Sequence, residues 1–387
     1  MRRWPFLGAL AVAGVGFILW ERPVAPPVMP PAVVAEEGLQ VAFLPEAEAA
    51  GVALPLHVAG RVAVDADWPE GFRHVWPGVV VTARFAGDGV DLRLADGVNR
   101  WRVTVDGRAA ELTRVGDGVV RISGLGGGEH VLRAEKLSES WEDAVFGGVF
   151  VATEEMVRAV EGPDRVVEVY GDSESVGYGV RSERRECPGE GVYLATDTTL
   201  AFPALVARAF GADLDLVARS GIGLMRDFGE GATAGRMIDV ADRAAIGPGE
   251  AVAIEGERVV VIALGANDFQ RDLTADDPWA DTAAMVAPFA DLLADFARDK
   301  AGPDGEVVLV AYSSYGEDLV AAHERAFAAL QGEVAAHMVV VPEMGQGACD
   351  WHMSVDDQAE VARLVAEAIT LLPSGWEPVE SETSGQE

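Results

Sequence analysis

The residues that could do chemistry lie in four short blocks: GDSESVGYG at 171–179, ARSGIGLMRDFG at 218–229, ALGANDF at 263–269 and CDWHMSVDDQAEVA at 349–362. They offer a hydroxyl at Ser173, flexible backbone at Gly221 and Gly223, a side-chain amide at Asn267 and an imidazole at His352. A serine hydroxyl attacks a carbonyl only if a neighbouring base takes its proton, a further group orients that base, and N–H donors meet the oxyanion that forms. Each block alone has a plainer reading. Gly-Asp-Ser and Asn-Asp are ordinary turn chemistry, since these residue types favour tight backbone geometry or bond their own backbone. A single histidine before a helix is more often packed or exposed than basic. Four such blocks in one order, each just after a predicted strand, turn the balance toward a catalytic Ser173 and His352.

The elements that would position them follow from periodicity. From about residue 160 the chain alternates strand and helix, with strands RVVEVYG, DLDLVAR, RVVVIALG, EVVLVAYS and HMVVVPE apolar on both faces, as in a buried parallel sheet. Helical patterns lie between them, and Ser354 is a plausible N-cap for the last one. This predicts a doubly wound α/β domain over 159–372, with its site at the carboxyl ends of the strands. Residues 51–158 read differently. About seven short alternating segments punctuated by glycine, with Asp106-Gly107 as a hairpin turn, predict a β-sandwich of jelly-roll type.

Composition bounds the partners. The 387-residue chain is 49% hydrophobic and 24% charged, the profile of a globular protein with two packed cores. With 63 acidic and 30 basic side chains its formal charge is -33, which repels nucleic acid and favours a neutral ligand. Two arginines precede an apolar run from Trp4 to Trp20, so residues 1–22 read as an export signal or a membrane anchor. Residues 23–50 read as a proline-rich linker, with cleavage near AVVA as the alternative to a retained anchor. Residues 373–387 read as a disordered polar tail. The expected location is periplasmic or extracellular, with the membrane touched only through the N-terminal segment.

The order and spacing of the four blocks resemble the SGNH or GDSL hydrolase superfamily, over roughly residues 160–372. The GANDF and DWH blocks, together with a sandwich in front, are similar to carbohydrate esterase family two, whose members remove acetyl groups from sugars. The resemblance implies Ser173 as nucleophile and His352 as general base and then acid. It implies an oxyanion hole from the backbone N–H of Ser173, the backbone N–H of Gly223 and the amide of Asn267, with Gly221 as the rival glycine. Asp350 stands two residues before the histidine, where most of the superfamily has its aspartate three before, a place held here by Cys349. The branch with this closer spacing orients its histidine by that carboxylate or by a backbone carbonyl, so the site is a triad or a dyad. Trp351 would position a sugar ring. Two departures from the superfamily pattern are Glu174, where an aliphatic residue is usual, and Met353, where proline is usual.

The chain's two cysteines, Cys187 and Cys349, either form a disulfide tying the histidine loop to the rim of the site or remain buried thiols. No His, Cys and carboxylate cluster has metal-ligand spacing, and acyl transfer through serine needs no cofactor. The expected activity is removal of O-acetyl groups from poly- or oligosaccharide through an acetyl-serine intermediate. The rivals are a lipase or thioesterase of the same superfamily, and a carbohydrate-binding surface protein without catalysis.

Overall fold

The computed structural model describes residues 24–228, 235–247, 249–270 and 281–379. The expected signal or anchor at 1–22 lies outside these residues. Among the described residues no helix is long and apolar enough to cross a membrane.

Two seven-stranded antiparallel sheets make the sandwich. One runs Val33–Ala35, Arg108–Thr113, Arg100–Val105, Glu129–Lys136, Val80–Ala86 and Val157–Arg158, with His57–Ala59 also on Val80–Ala86. The other runs Gln40–Pro45, Gly116–Ser123, Gly89–Asp96, Ala144–Val151, Phe72–His74 and Val62–Ala63, with Val52–Ala53 on Ala144–Val151. Alternation drives the layering: in Glu129–Lys136 the residues His130, Leu132, Ala134 and Lys136 are buried while Glu129, Val131 and Arg133 face water. Val105 pairs with Arg108 across Asp106-Gly107, and positive φ at both turn residues matches the right-handed strand twist.

The expected linker at 23–50 is corrected by this arrangement. Val33–Ala35 pairs with the edge of Arg108–Thr113, and Gln40–Pro45 pairs with the edge of Gly116–Ser123. Both cover ladder groups that would otherwise be left open, a long-range need that local composition does not display. The expected tail is corrected too. Trp376 is fully buried against Phe210, and the Val379 N–H donates to the Ala209 carbonyl, so the chain stays packed on the α/β domain through residue 379.

The α/β domain is a parallel sheet in the order Asp213–Ala218, Arg165–Gly171, Glu257–Ala263, Glu306–Tyr312 and Ala335–Val341. Thr282–Ala301 and Glu317–Leu330 pack on one face, while Phe202–Ala209 and Val355–Thr370 pack on the other. Ser354 caps the last helix in a reciprocal box with Asp357.

The two domains share buried surface. Trp76 of the sandwich sits in the α/β core and donates from its indole to the Arg243 carbonyl. Arg61 reaches between two strands of the parallel sheet, donating to Asp215 at 2.7 Å and Glu168 at 2.9 Å. All three side chains are largely buried, so removing the guanidinium would leave Arg258, paired with Glu168 and 3.7 Å from Asp215, as the remaining cation for two carboxylates in a dry environment. Arg61→Ala is expected to cost about 3–5 kcal/mol in chemical denaturation, with one cooperative transition lost or shifted for both domains.

Candidate active site

Ser173 begins a single helical turn, Ser173–Val176, immediately after the strand Arg165–Gly171. Asp172 caps that turn by accepting from the Glu174 N–H at 3.1 Å, and Gly177 closes it with positive φ. A side chain at Gly171 would lie 1.9 Å from the Ser175 hydroxyl, so the sharp exit from the strand requires glycine there. The result is a serine whose Oγ lies 2.9 Å from His352 Nε2.

His352 is oriented by backbone. Its Nδ1 lies 3.0 Å from the Cys349 carbonyl and 3.2 Å from that of Asp350. A proton on Nδ1 donated there leaves Nε2 as the acceptor facing the serine. The Asp350 carboxylate is not the orienting group; it accepts instead from the Tyr178 hydroxyl at 2.9 Å. The reason is the turn itself. Asp350 and Trp351 both have positive φ, 51° and 60°, which aims carbonyls at the imidazole and the Asp350 side chain away from it. Tyr178 in turn lies against the imidazole, with ring centroids 4.3 Å apart, and burial with the Asp350 hydrogen bond raises its phenol above the usual range.

On the other side of the serine, the glycine that lines the cleft is Gly221; Gly223 is not among its lining residues. Gly223 has a packing reason to be glycine. A Cβ there would come within 1.9 Å of the Arg226 carbonyl and 2.5 Å of the Asp268 carboxylate. Asn267 lines the cleft, with its amide donating to the Ile222 carbonyl at 2.8 Å and a second N–H left on the same nitrogen. Asp268 was not singled out from sequence, although the Asn-Asp pair was its signal. It is fully buried and accepts from the N–H groups of Leu224, Met225 and Arg226 at 2.8 to 2.9 Å, which pins the glycine loop. Burial pushes its carboxyl up to about 6, against those three hydrogen bonds.

Glu174, the departure next to the nucleophile, joins the two halves of the site. It is buried, accepts from the Tyr315 hydroxyl at 2.5 Å and from the Met353 N–H at 3.2 Å, and its own carbonyl accepts from Gln358. Neighbouring Asp172 is also fully buried. Desolvation and then the Glu174 charge raise its carboxyl well above the usual range, and Tyr315 is likewise raised by burial and Glu174. A second clamp is covalent: Cys187 and Cys349 are joined as a disulfide, tying the loop after the nucleophile to the residue whose carbonyl holds His352.

The cleft over Ser173 and His352 has a volume of about 520 Å³. Its walls include Trp351, 60% exposed with Arg185 over its ring, and Trp141, 43% exposed, which comes from the sandwich and was not found from sequence. Gln270, Gln346 and Asp350 add polar groups. Among the described residues no three His, Cys, Asp or Glu side chains are grouped to hold a metal ion.

Because Glu174 fixes the amide next to His352, Glu174→Leu is expected to lower kcat by about tenfold to a hundredfold with a smaller change in KM, the usual cost of displacing a catalytic group by an ångström. Glu174→Gln, whose one amide oxygen can still accept from the Met353 N–H while its NH2 donates to the Tyr315 hydroxyl oxygen, should recover most of that loss in a steady-state assay.

Comparison with known proteins gives the same architecture. Residues 58–160 match the carbohydrate esterase 2 N-terminal family model. Over 322 residues the chain is 28% identical to an acetylxylan esterase / glucomannan deacetylase of Cellvibrio japonicus, spanning 81% of this chain and 89% of that protein. A solved carbohydrate esterase, described as having an active site with divergent catalytic and non-catalytic binding functions, superposes with a TM-score of 0.76 at 25% identity, over 84% of this chain and 100% of the other. A family two carbohydrate esterase from Clostridium thermocellum in complex with cellohexaose shares the fold, with a TM-score of 0.69 at 23% identity over 83% of this chain and 100% of the other. The chain thus carries a carbohydrate esterase 2 N-terminal domain over residues 58–160 and shares the two-domain architecture of family two carbohydrate esterases over nearly the whole length of these relatives.

Proposed function

We propose that the protein is a serine esterase that removes O-acetyl groups from poly- or oligosaccharide. The observation that carries this reading is the 2.9 Å contact between Ser173 Oγ and His352 Nε2 at the floor of an open cleft walled by two exposed indoles. Exposed indoles suit the apolar faces of sugar rings, and the glutamines and Asp350 suit hydroxyl groups better than an acyl chain. The relative from Cellvibrio japonicus carries a matching name.

The steps follow from the geometry. Ser173 Oγ bonds to the acetyl carbonyl carbon while its proton passes to His352 Nε2, and the imidazolium is held by the Cys349 carbonyl. The oxyanion would meet the backbone N–H of Ser173, a backbone N–H of the loop that carries Gly221 and Gly223, and the second amide N–H of Asn267. Collapse breaks the bond from the carbonyl carbon to the sugar oxygen, which takes the proton from His352 and departs as a hydroxyl, leaving acetyl-serine. Water, deprotonated by the same Nε2, then releases acetate; a second sugar hydroxyl in place of that water would give transacetylation.

We also propose that the protein works outside the cytoplasm. The disulfide between Cys187 and Cys349 suits an oxidising compartment, and the Arg-preceded apolar run near the N-terminus suits export.

Acetate release from acetylated xylan, acetylated glucomannan and 4-nitrophenyl acetate tests the reading. Ser173→Ala should abolish it, and Asn267→Ala should lower kcat by about a hundredfold or more. Asp350→Ala should cost far less than His352→Ala, because the imidazole is held by carbonyls. No acetate from the folded wild-type protein on any of these esters would overturn the proposal in favour of a binding protein.

A further inference from the structure

A second cavity, of about 370 Å³, adjoins the catalytic cleft and shares Trp141 as a wall. It falls within the usual size of small-molecule sites, roughly 300–1,000 Å³. Its lining comes from both domains: Ser140, Glu142 and Arg114 from the sandwich, Tyr193 and Thr196 from the short helix Gly191–Ala195 and its C-cap, which follow the nucleophile. We infer that this cavity is an accessory glycan subsite, with Trp141 as the platform that passes the sugar chain into it from the acetyl-bearing residue over Ser173.

Three features carry the inference. The first is that Trp141 is held in place. Arg219 lies 4.8 Å from its ring and 5.0 Å from that of buried Trp76, so the exposed indole is stacked on a fixed support. The second is that its loop is tied to the active site. Both carboxylate oxygens of Glu139 accept from Ser220, one from the N–H at 2.8 Å and one from the hydroxyl at 2.6 Å, and Ser220 adjoins the cleft glycine Gly221. The third is that the cavity's arginine and Glu139 are already engaged, leaving Glu142 as its exposed carboxylate. Arg114 pairs with Glu190 at 2.9 Å and stacks 4.1 Å over Tyr193, and Glu139 is engaged by Ser220. What remains is aromatic surface with hydroxyl and carboxylate groups, a lining for a neutral, hydroxyl-rich chain. Continuity through Trp141 makes the occupant the remainder of the glycan that is being deacetylated.

The inference rests on the deacetylase reading, and the test separates the two. Wild type, Trp141→Ala and Val192→Trp are assayed on 4-nitrophenyl acetate and on acetylated xylo-oligosaccharides of two to six residues. Val192 lines the second cavity, and a tryptophan there fills it while leaving Trp141 in place. Wild-type kcat/KM is expected to rise with chain length. Trp141→Ala should lower it about tenfold on the longest oligosaccharide, mainly through KM, and only about twofold on 4-nitrophenyl acetate, as befits one lost ring contact. Val192→Trp should flatten the length dependence in the same way, and it decides the matter if Trp141→Ala does not fold. Acetate release by the wild type without any length dependence, or equal losses on all substrates in the folded variants, overturns the subsite and leaves the esterase reading standing. No release from any ester by the wild type overturns both.

Discussion

The structure depends on holding two hydrogen-bond partners 179 residues apart at 2.9 Å, the Ser173 hydroxyl and the His352 imidazole. The parallel sheet does the coarse work, because its first strand ends at the serine and its last strand leads into the histidine loop, both at the carboxyl ends of the parallel strands. A sheet alone positions loops only to within a few ångströms. The remaining precision comes from bonds between the loops: the Glu174 carboxylate to the Met353 N–H, the Gln358 amide to the Glu174 carbonyl, and the disulfide from Cys187 to Cys349. Glu174 works here because it is buried and its oxygens are both occupied. Left unpaired, the same carboxylate would cost stability.

The sandwich belongs to that site as much as to its own core. Arg61, Trp76 and Glu139 each cross to the α/β domain with hydrogen bonds, and Glu139 reaches the residue next to Gly221. The consequence is that Trp141 can be part of the cleft without being part of the hydrolase fold. An isolated α/β domain would keep the serine and the histidine but lose one wall of the cleft and, in Arg61, one of the two arginines that pair with its buried Glu168 and Asp215.

What sequence discloses divides along local and non-local lines. The strands of the parallel sheet, the Ser354 cap and the Asp106-Gly107 turn were legible because apolar periodicity and turn chemistry are properties of adjacent residues. The strands at 33–35 and 40–45 were not, since what makes them strands is the open edge of residues over seventy positions away. Glu174 could be flagged as unusual, but its partners Tyr315 and Met353 are distant in the chain. Gly221 and Gly223 are equivalent as letters. They differ because one faces the cleft while the other lies against Arg226 and Asp268.

The turn at Asp350 and Trp351 shows why the histidine is held by backbone here. Two successive non-glycine residues with positive φ are costly, and such a conformation persists only where its surroundings enforce it. The disulfide at Cys349 fixes one end, and the Asp350 N–H donates to the Arg185 carbonyl. Once the backbone reverses in this way, three results come together. Carbonyls point at Nδ1 of the imidazole, the Asp350 carboxylate swings to Tyr178, and the Trp351 indole is left 60% exposed at the cleft wall. Orientation of the base and presentation of a sugar platform are therefore one conformational feature. A turn relaxed enough to bring the Asp350 carboxylate to His352 would also move Trp351, so the carbonyl-held histidine is the form compatible with an indole in that place.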